Sequence, residues 1–113
     1  PYPMLFRFLA RARAGEAEAA GPELELHASR LKTKAWPYAV IELLAGKRAP
    51  DATLPAAVKP EEVCEAHFYI GEWQLLRGDK DAATRSLQIA ADTCPKTFIE
   101  YEAAVAELKR LKQ

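Results

Sequence analysis

No charge of one sign prevails in this chain: 16 basic residues stand against 16 acidic ones. That balance argues against a strongly basic nucleic-acid binder and against an acidic disordered tail. Long apolar runs are also missing, and the longest uncharged one, Ala35 to Ile41, is far too short to span a bilayer. Glycine is scarce at five residues, so the eight prolines do not make a low-complexity linker. Val, Ile and Thr are sparse beside Ala and Leu. This favours helix over sheet, because unbranched side chains keep their rotamers in a helix. No signal-peptide pattern opens the chain, and Pro1 stands where an initiator Met would. We therefore expect a fragment or mature piece of a longer protein, in which a missing targeting signal carries no weight.

With 113 residues and 50% hydrophobic content, the chain is the size of one small domain with a core of its own. Pro3 suits a helix's first turn, and Leu5, Phe8, Leu9 and Ala12 recur at three- and four-residue spacing across Met4 to Ala14. Gly15 is the expected stop. Glu16 to Leu31 is helical in composition, but Pro22 deep inside it predicts a kink or restart. Pro37 opens a third helix that buries Val40, Ile41 and Leu44 and breaks at Gly46. Pro50 and Pro55 allow only a short helix around Asp51 to Val58, with Asp51 as its N-cap. A long helix should run from Pro60 to Arg77, opened by Glu61 and Glu62 and stopped at Gly78. Its partner spans Asp79 to Thr93 and ends at Cys94-Pro95. Thr97 and Glu100 have capping-box spacing for a last helix, which buries Phe98, Tyr101, Val105 and Leu108. The expected fold class is all-α, about six or seven antiparallel helices with short links.

Within Cys64 to Pro95, small residues fall at positions with mechanical roles. Gly71 would let a partner helix approach closely, Gly78 would make the interhelix turn, and Ala83 and Ala90 would fit a crowded seam. Leu87 would fill the core and Pro95 would end the second helix. This stretch resembles a tetratricopeptide repeat (TPR), with Arg77-Gly78-Asp79-Lys80-Asp81-Ala82-Ala83 as its most recognisable part. His67 stands where that family favours Trp, and Gln74 where it favours Tyr, with Trp73 beside it. Phe98 to Leu111 resembles the first helix of a following repeat used as a terminal cap. The division expected is 1–59 for divergent helix pairs, 60–95 for the TPR hairpin and 96–113 for the capping helix, together a TPR-like α-solenoid.

A resemblance covering more of the chain rests on Trp36-Pro37-Tyr38, Ile41 to Lys47, Glu65 to Gly71, Phe98 to Tyr101 and Ala106 to Leu108. These are similar to the C-terminal half of bacterial outer-membrane TPR lipoproteins of the NlpI type. The resemblance implies a periplasmic, non-catalytic adaptor that docks proteases and peptidoglycan hydrolases, with any lipid anchor outside this chain. A cytoplasmic location stays open. In TPR proteins the face corresponding to Glu65, Phe68, Glu72 and Leu75 lines a groove for partner peptides; burial under the neighbouring repeat is the competing reading.

Cys64 and Cys94 lie at the open end of the proposed hairpin. A bridge there would close a ~30-residue loop and would suit the periplasm. Two buried thiols in a reducing compartment are the alternative. Two thiols alone make a poor zinc site, and neither a metal nor a cofactor is expected. Cys64 and His67 are one helical turn apart, but nothing nearby would orient the imidazole for nucleophilic catalysis. His27 and His67 therefore read as structural, and no catalytic residue is assigned. The basic bias of Arg7, Arg11, Arg13, Arg30, Lys32 and Lys34 reads as solvated helix faces, leaving nucleic-acid binding a weak third reading. The partner expected is a protein or peptide. The alternative function is structural capping or self-association, which would include a dimer.

Overall fold

Helix-forming composition and glycine punctuation produce seven α-helices and one 3₁₀ turn, with no strand among the described residues. The structure is a computed structural model describing residues 2–112; Pro1 and Gln113, at the ends of the expected domain, lie outside the described residues. The helices are α1 (Tyr2–Arg13), α2 (Ala17–Ser29), α3 (Tyr38–Leu44), α4 (Pro50–Thr53), α5 (Pro60–Leu76), α6 (Lys80–Thr93) and α7 (Ile99–Leu111), with the 3₁₀ turn at Leu54–Ala56. The chain divides into two compact units, Pro1–Ala56 and Ala57–Gln113.

In the first unit, α1 buries Leu5, Phe8, Leu9 and Ala12, the stripe its spacing predicts. Gly15 ends it with φ +85°, a left-handed conformation that costs a residue without Cβ little. The expected restart at Pro22 does not occur, and α2 runs through it as one helix. Part of the reason lies in Gly21, which has no Cβ to collide with the proline ring that follows it. The Glu23 carboxylate also accepts hydrogen bonds from Arg7 Nε at 2.6 Å and from Arg11, tying α2 back to α1. Buried Ala20 and Leu24 complete the contact face. Helix α3 buries Ala39, Val40, Ile41, Leu43 and Leu44. At α4 the N-cap is Ala49 rather than Asp51, because Pro50 takes the first helical position, where its missing N–H costs nothing. Thr53 donates its hydroxyl to Ala49 O at 2.9 Å.

In the second unit, Glu62 opens α5 by accepting from Val58 N and Lys59 N at 3.0 and 3.2 Å. These bonds to the carboxylate hold its pKa below the ordinary glutamate value. Gly78 (φ +83°) turns the chain, and Asp79 caps α6 by accepting from Ala82 N at 3.1 Å. Helices α5 and α6 pack antiparallel, joined at their open end by the Cys64–Cys94 disulfide with Cα atoms 5.1 Å apart. Gly71 faces Leu87 in the seam: a Cβ on Gly71 would lie 2.8 Å from Leu87 Cγ. Leu87 is thus the residue opposite this glycine, and Ala83 and Ala90 are both fully buried. Pro95 follows the α6 C-cap Cys94 and is exposed.

Helix α7 departs most from expectation. Its N-cap is Phe98, without a side-chain cap bond, so Thr97 and Glu100 form no capping box. The face turned inward carries Glu100, Ala104, Glu107 and Leu108, while Phe98, Tyr101 and Val105 are half-exposed. Glu100 is drawn inward by the Tyr69 hydroxyl, which donates to its Oε2 at 2.8 Å. A carboxylate with a fixed donor can occupy a buried position that an apolar pattern would assign to a hydrophobe.

Candidate functional site

The four residues expected to line a groove lie on α5, and the structure covers most of that face. Phe68 and Glu72 are each 1% exposed and Glu65 is 7% exposed; only Leu75 is half-exposed. Competition between groove and core is thus decided for Phe68, whose ring meets that of Tyr69 edge-on at 5.0 Å. A side chain so covered presents no surface to an incoming peptide, and the groove assignment gives way to burial at these positions.

Instead this part of the chain gathers buried acids: Glu65, Glu72, Glu100 and Glu107 are all at most 7% exposed. Burial raises the Glu100 pKa above the usual carboxylate value; the Tyr69 hydrogen bond opposes the shift and the nearby Glu65 carboxylate adds to it. Glu107 accepts from Arg110 Nε at 3.0 Å, one turn along the helix. Across the hairpin, Ser86 donates its hydroxyl to Gln74 Oε1 at 2.8 Å, so Gln74 supplies a polar tie where the repeat pattern favours Tyr. The Arg77 guanidinium stacks 4.2 Å over the Trp73 ring.

The cysteines meet as a disulfide, so the Cys64 sulfur is no free nucleophile for His67 while the bridge stands. His67 is half-buried, and desolvation lowers its pKa so that the neutral ring is favoured. His27 is half-buried on α2, beside Met4, Phe8 and Arg11. Among the described residues no three His, Cys, Asp or Glu side chains converge to hold a metal ion. No helix among them is long and apolar enough to cross a membrane.

A concave surface appears where the sequence did not point to one. Between α2 and α3 in the first unit lies a cleft of about 190 Å³. Ile41 forms a buried floor, Ala28, Ala45 and Tyr38 form the walls, and Glu25, Ser29, Glu42 and Lys47 carry the polar groups. Lys47 Nζ stands 3.9 Å from Glu25 Oε1 across the rim, and Arg48 Nε donates to Glu42 Oε1 at 3.0 Å. The exposed charges of Lys47 and Glu25 at the rim oppose each other. The signal available in the sequence was small Ala28 on α2 and small Ala45 at the end of α3, which reads as ordinary helix packing.

No protein-family model matches the chain. No solved structure matches it either.

Proposed function

We propose that the chain is a non-catalytic protein-binding module of TPR-like build, which takes a single side chain of a partner segment into the α2–α3 cleft. The observation that carries this reading is the cleft's size. At about 190 Å³ it is below the roughly 300–1,000 Å³ of pockets that enclose a whole small molecule. It has room for one side chain against Ile41, with Tyr38 and Ser29 among the residues that line it. A rigid cleft of this kind works by preorganisation, leaving the ordering cost mainly with the partner.

Support for the TPR-like solenoid with a capping helix comes from the Gly71–Leu87 seam, the Gly78 turn and buried Ala83 and Ala90. The Cys64–Cys94 bridge supports an oxidising compartment. Together with the likeness to NlpI-type lipoproteins it favours the periplasm, where the partners would be cell-envelope enzymes or proteases. Any lipid anchor would belong to sequence outside these residues.

The test is recovery of binding proteins from periplasmic and cytoplasmic extracts by the wild type and by Ala45→Trp, which fills the cleft. We expect specific partners from the periplasmic extract, lost with Ala45→Trp while circular dichroism stays unchanged. Equal recovery by both proteins would remove the cleft from the binding surface. A measured hydrolytic activity abolished by His27→Ala or His67→Ala, with partner binding retained, would overturn the adaptor reading itself.

A further inference from the structure

We infer that α7 is a self-association surface, pairing antiparallel with α7 of a second copy of this chain. The inference is independent of the α2–α3 cleft. It begins with the inverted burial of this helix: acidic Glu100 and Glu107 lie on the buried face, while aromatic and aliphatic Phe98, Tyr101 and Val105 are left half-exposed. Tyr101 and Val105 are four residues apart and form a stripe on one face of α7, and Phe98 is the N-cap at its start. Exposed Ala106 borders the stripe and lets another backbone come close.

The charges beside the stripe identify the occupant. Glu102 and Lys109 are exposed and lie seven residues apart, on the same outer edge of the stripe. Seven residues are two helical turns, so an antiparallel second copy can set its Lys109 opposite Glu102 and its Glu102 opposite Lys109. The two-fold axis then falls between Val105 and Ala106, where the stripe is apolar and small. Such an isologous contact uses one patch twice and closes on itself. Parallel pairing would put the Glu102–Lys109 edge of each copy on opposite sides of the seam, so this charge pair is satisfied only in the antiparallel orientation. One thirteen-residue helix offers a small interface, which places the dimer among weak, concentration-dependent ones.

An acidic start and a basic end also suit the dipole of α7 itself, and charge exchange separates the two explanations. Sedimentation of the full chain should show its mass rising from 12.5 kDa toward twice that value as concentration increases to about 1 mM, the weak end of measurable association. Glu102→Lys should hold the chain monomeric over that range, because the introduced ammonium would face Lys109 of the second copy. Combining Glu102→Lys with Lys109→Glu should restore the dimer, although the helix dipole is then doubly opposed. Val105→Arg should abolish association. Should it also disturb folding by circular dichroism, the two exposed charge positions decide the matter. A wild type that stays monomeric throughout would overturn the inference. So would a dimer indifferent to Glu102→Lys, or a double variant no better associated than the single one.

Discussion

Gly71→Ala tests the close approach of α5 and α6. The new methyl would stand 2.8 Å from Leu87 Cγ, 3.0 Å from its Cδ2 and 3.3 Å from its backbone nitrogen. Leu87 is fully buried, and Cγ is a branch point, so the clash cannot be relieved by swinging a flexible tip aside. Helix α6 must shift or Leu87 must leave its rotamer. Overpacking of this kind costs about 1–3 kcal/mol. In a helix interior, replacing glycine by alanine returns about 1 kcal/mol through backbone entropy. The net expectation is a loss of about 1 kcal/mol, reaching about 2, where relief of the clash is poorest. Urea denaturation with the disulfide intact measures it directly; thermal melting should fall by about 4 °C for each kcal/mol in a chain of this size. The cause is tested by a double-mutant cycle. Leu87→Ala alone should cost about 2–5 kcal/mol. Added to Gly71→Ala, it should cost at least about 1 kcal/mol less than the two losses summed, because the methyl then enters space that Leu87 vacated. Strict additivity in the cycle would refute the seam described above.

Reduction of Cys64–Cys94, or the double replacement by Ala, should cost about 3–4 kcal/mol in the loop-entropy account of a bridge spanning 30 residues; equal melting with and without reductant would show that the bridge contributes nothing. Phe68→Ala should cost about 3–5 kcal/mol because the ring is core, and calorimetry that finds the chain unperturbed would return Phe68 to the list of surface residues. Glu100 has a folded-state pKa above its unfolded value, so its favourable contribution is complete below the unfolded pKa and is lost as pH rises through the folded one. Glu100→Gln keeps an acceptor for Tyr69 and should therefore raise the melting temperature relative to wild type near pH 8, with the difference shrinking toward pH 4. Glu62 works in the opposite sense: its lowered pKa gives a contribution present above the unfolded value and lost on acidification, so Glu62→Gln should narrow its deficit as pH falls.

Local chemistry by itself determined where α1, α3 and α5 stop. Gly15, Gly46 and Gly78 take positive φ because only a residue without Cβ does so at little cost. The Leu5–Ala12 stripe faces inward because its neighbours on the other faces carry charge. The hairpin and its cysteine pair were legible for the same reason: a glycine turn between two long helices brings their far ends together. Tertiary packing decided what periodicity cannot encode, namely which neighbour each face meets. In α7 two stripes compete, and the one bearing Glu100 and Glu107 is buried because Tyr69 supplies a donor across the helix pair. On α5, the same spacing that would suit a groove suits a core, and coverage alone made Phe68 and Glu72 interior. The α2–α3 cleft belongs to this second class, since a concavity is set by how two helices pack and no single residue carries it. A side chain's type limits the environments it tolerates, but the approach of a second element selects among them.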